Sequence, residues 1–165
     1  MRTTDKYVLF WKKTCFSQWH PCKFVIDGIE YNCAEQYMMA EKARLFKDSE
    51  TESKIMEADH PRKQKELGRL VSNFNKELWD ARAREIVYEG NKAKFSQNLS
   101  FKEELMKTGT LTLVEASGFD QIWGIGLFEE DDRCLDQSTW QGLNWLGEVL
   151  TKVRDDFRSE DDSER

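Results

Sequence analysis

Two residues of opposite charge, Glu35 and Lys42, stand seven positions apart in Ala34-Glu-Gln-Tyr-Met-Met-Ala-Glu-Lys-Ala-Arg-Leu-Phe46, where apolar groups recur at helical spacing. At about 100° per residue, seven positions return to within roughly 20° of the same direction, so both side chains can enter one pocket. Met38 lies close to them in angle, which places the pair at the edge of the buried stripe. A lysine at such an edge loses water around its ammonium, its pKa falls, and the neutral amine is a nucleophile. A carboxylate within reach can carry protons to and from the reacting atoms. Glu35 raises the lysine pKa while burial lowers it, and the order of residues does not say which wins. The plain alternative is two solvated charges on a polar face.

Other segments offer surfaces for a ligand. Phe10-Trp11 and Phe16-Ser17-Gln-Trp19 crowd aromatic rings where turn residues are expected; they can stack a base or cover the core. Phe119-Asp120-Gln-Ile-Trp123-Gly124-Ile-Gly126 joins a carboxylate, large rings and two glycines without periodicity, as a ligand-facing loop does. An Asp-capped turn beside a core Trp has the same composition. Trp140-Gln-Gly142-Leu-Asn144-Trp-Leu-Gly147 reads as a helix start whose free N–H groups suit a phosphate, or whose glycines permit close packing. Its spacing is neither GxGxxG nor GxxxxGK, which excludes Rossmann and P-loop motifs. Cys15, His20 and Cys22 lack a second pair at zinc spacing and are read as bystanders. No Gly-x-Ser-x-Gly elbow supports a serine hydrolase.

The elements that must position these groups follow from the pattern. Tyr7–Trp11, Lys23–Ile26 and Ile29–Tyr31 are β-prone, with Asp27-Gly28 as a hairpin turn, which gives a small sheet. Helices are predicted from Asn32 or Cys33 to about Lys47, and over 49–58, 61–72, 75–96 and 98–107. Gly90 weakens the middle of the fourth of these. A strand follows at 110–115, then an aperiodic stretch, then a last helix over 138–157. Trp79 and Trp145 are assigned to packing, and the acidic run 159–165 to a disordered tail beyond a domain at 1–158. The fold class is α+β, a mainly helical single domain with a small β-sheet.

Composition narrows the function. With 165 residues the chain is long enough for one real core, and six Trp, ten Phe and four Tyr supply it despite a mean hydropathy of -0.75. A net charge of -6 argues against a protein that coats nucleic acid by neutralising phosphates. No apolar run is long enough for a membrane span or a signal peptide, and the four cysteines form no CxxC, so a cytoplasmic protein with reduced thiols and no membrane partner is expected.

Taken in order from Phe10 to Arg154, these segments, together with Val25-Ile-Asp-Gly28, Leu67-Gly-Arg69, Trp79-Asp80, Gly90-Asn-Lys-Ala-Lys-Phe-Ser-Gln97 and Leu113-Val-Glu-Ala116, resemble the NADAR superfamily of YbiA-like proteins. The resemblance implies an N-glycosidase acting on ribosyl bonds to an exocyclic amine, with no organic cofactor and no metal. Two substrate classes are associated with the family. One is ADP-ribose on guanine, including guanine in nucleic acid; the other is the ribosylamino-pyrimidine phosphates of riboflavin biosynthesis. The catalytic roles this implies fall on Lys42, as a Schiff-base nucleophile, and on Glu35, as a proton carrier. Asp120 is expected as an acceptor for ribose hydroxyls or a helper base. Phe10, Trp11, Phe16, Ser17, Trp19, Trp123 and Gly124 are expected to wall the ligand, and Arg69, Lys94, Gly142, Asn144 and Gly147 to take phosphate or pyrophosphate, with a structural salt bridge as the alternative for Arg69. The sequence departs from the family pattern at Gln18-Trp19, where Asn-Phe is frequent, and at Gln36, where His is frequent; both departures bear on how the leaving base is held. A module that binds ADP-ribose or NAD without cleaving it is the alternative, and it would not need Glu35 and Lys42 on one face.

Overall fold

The computed structural model describes all 165 residues. From the N-terminus they form β1 (Arg2–Thr3), β2 (Tyr7–Phe10), β3 (Phe24–Ile26), β4 (Ile29–Tyr31), α1 (Ala34–Leu45), α2 (Ser49–Glu57), α3 (Pro61–Gly68), α4 (Lys76–Ser96), α5 (Leu99–Lys107), β5 (Thr112–Glu115) and α6 (Trp145–Ser163). The architecture is α+β and mainly helical. The single small sheet expected from the sequence is in fact two separate ones, a three-stranded sheet ordered β1-β2-β5 and the β3-β4 hairpin. The chain gathers into two units, residues 18–99 and residues 1–17 with 100–165.

In the unit of residues 18–99, α1 is the central element and packs on α2, α3 and α4. Its residues 34–40 are all buried, so it presents a covered surface nearly all round. The helices around it start where side chains satisfy their first N–H groups. Asp48 accepts from Thr51 N, the His60 ring from Arg62 N ahead of Pro61, and Asn75 from Leu78 N. Gly90 sits under the Tyr37 ring, where a Cβ would lie 2.6 Å from a ring carbon, so the glycine that weakens α4 lets α1 and α4 approach. Helix α3 stops at Gly68 rather than near 72, and the Ser72 N–H turns away to the Asp48 carboxylate at 2.9 Å.

In the other unit, β2 and β5 run parallel in the register Tyr7↔Thr112 to Phe10↔Glu115, and α6 packs on β5. Leu9, Val114, Ala116, Ile125, Leu127 and Cys134 form its core. The last helix begins at Trp145, not 138; residues 132–135 and 137–139 make short 3-10 turns capped by Asp131 and Asp136 instead. It also runs on to Ser163, so residues 159–163, expected as a disordered tail, are helical. The helix is anchored just before them, where buried Arg154 donates to Thr108 and Leu111 and Arg158 donates to the Gly109 carbonyl. No helix is long and apolar enough to cross a membrane.

Candidate functional site

Lys42 emerges near the C-terminal end of α1 and is half-buried, its Nζ 4.7 Å from the centroid of the Phe74 ring and 5.7 Å from that of Trp79. Glu35, one helical face with it, is buried at 4% exposure. Burial pushes the Lys42 pKa below the usual lysine value, the negative charge of Glu35 works against that, and the positive charge of Arg69 adds to it. The question left open by the sequence is therefore decided: desolvation wins. Ring faces beside an ammonium favour the charged form, yet here they are also the walls that remove its water. The result is an amine nearer to its nucleophilic form, with a carboxylate behind it.

Arg69 is exposed just past the end of α3 and acts on Lys42 through space, which ties it to this site electrostatically. Trp19 is partly covered, edge-on to His60 at 6.2 Å with the Lys65 ammonium 6.0 Å from its ring. Gln18 joins the start of α1 directly, since its carbonyl accepts from the Glu35 N–H at 3.0 Å. Lys94, expected on a phosphate, is fully buried within α4's inner face, so it is no surface anion ligand. Its charge is felt by His20, whose pKa is lowered by burial first and by Lys94 second, and by Cys22, whose thiol is raised by burial against the pull of Lys94. Cys33, at the N-cap of α1, has its thiol pushed up to about 12 by burial, with its Sγ on Gln64 Oε1. These thiols are poor nucleophiles.

Gln36 is a structural residue. Its Oε1 accepts from Asn32 N at 2.8 Å and its Nε2 donates to the carbonyls of Ile55 and Met56, so Gln36 joins α1 to α2.

The candidates of residues 1–17 and 100–165 are largely used by the fold. Phe10 and Phe16 are core, 0% and 2% exposed and packed edge to face at 5.6 Å, so neither is a stacking wall. Ser17 spends its N–H on the Thr14 carbonyl. Trp11 packs on Phe119 and Phe128, with the Lys12 ammonium 4.4 Å from its ring. Asp120 caps a turn, its Oδ1 accepting from Ile122 N and Trp123 N at 2.9 and 2.8 Å. Trp123 lies edge-on to Trp145. A Cβ on Gly124 would meet the Asp120 carbonyl at 2.8 Å, so this glycine permits a tight turn.

The groups of the expected phosphate cradle at 142–147 are also largely used by the fold. The N–H groups of Leu143, Asn144, Trp145 and Leu146 donate to the carbonyls of Gln121, Gly124, Ile122 and Trp123. The N–H groups of Asn144, Trp145 and Leu146 are thus already taken where α6 opens. Asn144, in left-handed backbone at φ 55°, spends its amide on β5, accepting from Glu115 N and donating to the Leu113 carbonyl. A Cβ on Gly147 would lie 2.1 Å from that carbonyl, and one on Gly142 would lie 2.3 Å from the Gly124 carbonyl, so both glycines serve close packing.

Sequence reasoning missed Phe74 and undervalued Trp79. Phe74 lies in the short loop before α4, where no periodicity marks it, and Trp79 fits the apolar face of α4 so well that packing explains it fully.

Comparison with known proteins places the chain in a family. Residues 9–158 match the model of the NADAR domain. The chain is 46% identical over 165 residues to N-glycosidase R617 of Acanthamoeba polyphaga mimivirus, an alignment covering 93% of this chain and 97% of that protein. It is 31% identical over 145 residues to N-glycosidase Npun_R5314 of Nostoc punctiforme, covering 88% and 86%. Among solved structures, E. coli YbiA superposes with a TM-score of 0.78 at 22% identity, over 97% of this chain and 89% of that one, and shares its fold.

Proposed function

Since the chain belongs to the NADAR domain family, we propose that it is an N-glycosidase that hydrolyses a ribosyl bond to an exocyclic amine, with Lys42 as nucleophile and Glu35 as proton carrier. The mimivirus and Nostoc relatives carry the class in their names. The observation that carries the mechanism is the Lys42 amine, held by burial below its usual pKa on the same helix face as a buried carboxylate.

The chemistry follows from the substrate's nitrogen. An exocyclic glycosylamine can push open the ribose ring, breaking C1–O and leaving an imine at C1. The neutral Lys42 amine adds to C1, and the exocyclic amine then departs as the free base, taking a proton and leaving a C1–lysine Schiff base. Water adds to C1, the lysine amine leaves, and the sugar is released as an aldehyde that closes to its hemiacetal. Each step moves a proton between ring oxygen, leaving amine and water, which is the work assigned to Glu35. Arg69, exposed beside the lysine, supports both the lowered pKa and an anionic phosphate on the sugar.

The test is turnover of ADP-ribosylated guanine and of a ribosylamino-pyrimidine phosphate, followed by mass spectrometry of both products. Borohydride added during turnover should fix a sugar adduct on Lys42. Normal turnover by Lys42→Ala or Lys42→Arg, or an adduct mapping elsewhere, refutes the Schiff-base role.

A further inference from the structure

The start of α1 holds two buried amides whose hydrogen bonds do not close. Asn91 on α4 donates from Nδ2 to the Val87 carbonyl and to Gln18 Oε1, both at 2.8 Å. Those two bonds use both Nδ2 hydrogens, and they fix which end of each amide is oxygen. What remains is Gln18 Nε2, a donor, and Asn91 Oδ1, an acceptor, and neither has a partner. The residues are 9% and 0% exposed. Buried polar atoms are almost always paired, because leaving one unpaired forfeits its bonds to water.

Position gives the pair its meaning. Gln18 is one backbone hydrogen bond from Glu35. Taking Trp79 as the reference direction on α4, Val87 and Asn91 stand at roughly 80° and 120°. Ala93 and Glu89, at roughly -40° and -80°, line a groove on the other flank with Tyr37 and Glu41, which point away from Lys42 on α1. Asn91 is therefore on the flank of α4 that faces the Glu35 and Lys42 side.

We infer that Gln18 and Asn91 are a recognition pair that the substrate completes, accepting from Gln18 Nε2 and donating to Asn91 Oδ1. This rests on the N-glycosidase reading above. The group that fits is neutral and carries an acceptor and a donor side by side, which describes the lactam edge of a leaving base and also a ribose hydroxyl. A site built this way rejects analogues lacking the matching group, because its own polar atoms then stay unpaired.

Gln18→Glu keeps the acceptor toward Asn91 Nδ2 and replaces the free donor by a carboxyl oxygen, while Gln18→Met removes both without adding charge. Binding is measured by calorimetry in a Lys42→Met background, so that turnover does not enter, and kcat/KM in the parent. Gln18→Glu should lose stability, because it buries a carboxyl, and in the folded protein it should weaken substrate binding on the order of 10- to 100-fold and lower kcat/KM through KM. A guanine nucleoside and free ADP-ribose, tested separately, assign the contact to base or sugar by which of them the variant weakens. Unchanged binding of substrate and of both products by Gln18→Glu overturns the pair, and so does Gln18→Met with full affinity. Failure of the wild-type chain to cleave either substrate would instead refute the N-glycosidase reading.

Discussion

The surroundings of α1 and the segment 117–147 look alike as text, for both mix carboxylates, tryptophans and small residues, but they put their polar atoms to opposite uses. Around 117–147 the polar groups that look chemical close the backbone: Asp120 caps a turn, Asn144 bridges to β5, and the N–H groups at the start of α6 are taken. Around α1 the reverse holds. Lys42 is kept half-buried with its pKa lowered, Glu35 is buried beside it, and two amide atoms are unpaired. A fold satisfies its polar groups where it needs rigidity and tolerates cost where it does chemistry.

The contrast is open to attack at several points. The largest effect is expected from Lys42→Ala, on the order of 10³-fold or more in kcat/KM, because removing a nucleophile removes the covalent route. Lys42→Met should also melt higher than the parent at neutral pH. The sign follows from linkage: a lysine whose folded pKa lies below its unfolded value of about 10.4 costs stability while charged, and that cost fades as pH rises through the folded pKa. A Met variant that melts lower at pH 7 would contradict the strained-lysine view. Glu35→Gln comes next, with about 10²- to 10³-fold lost in kcat as proton transfer fails; a loss confined to KM would recast Glu35 as a binding residue.

Asn144→Ala tests the other side of the comparison. It leaves Glu115 N and the Leu113 carbonyl without side-chain partners and should cost about 1–3 kcal/mol in denaturant unfolding, while the folded variant keeps its kcat/KM. Arg69→Met should move the ascending limb of the kcat/KM profile to higher pH, since the arginine's charge holds Lys42 down; an unmoved limb would break that link. Smallest of all is Asp120→Asn, whose Oδ1 still accepts from Ile122 N and Trp123 N. Turnover within about threefold of wild type is expected for a side chain that only caps, and a large loss with an intact fold would return Asp120 to the chemistry.

Local patterns carried much of the fold. The hairpin at Asp27-Gly28, the starts of α2 and α3, and the run of α4 were legible because each depends on neighbours a few residues away. The start of α6 was not, because its N–H groups are satisfied by carbonyls some twenty residues earlier, and a long-range bond leaves no period in the sequence. Phe10 and Phe16 were open between wall and core for a similar reason: an aromatic residue type records the need for burial, not what does the burying.

The sequence alone determined that Glu35 and Lys42 share a face, because helical geometry links positions seven apart whatever surrounds them. It also determined that the chain is acidic, rich in aromatic residues and mainly helical. Only the tertiary structure decided that burial outweighs Glu35 in setting the lysine's charge, that Phe74, Trp79 and Arg69 make its surroundings, and that Lys94 and Asn144 belong to the interior. Desolvation is a property of everything packed around a group, and that packing comes from residues distant in the chain.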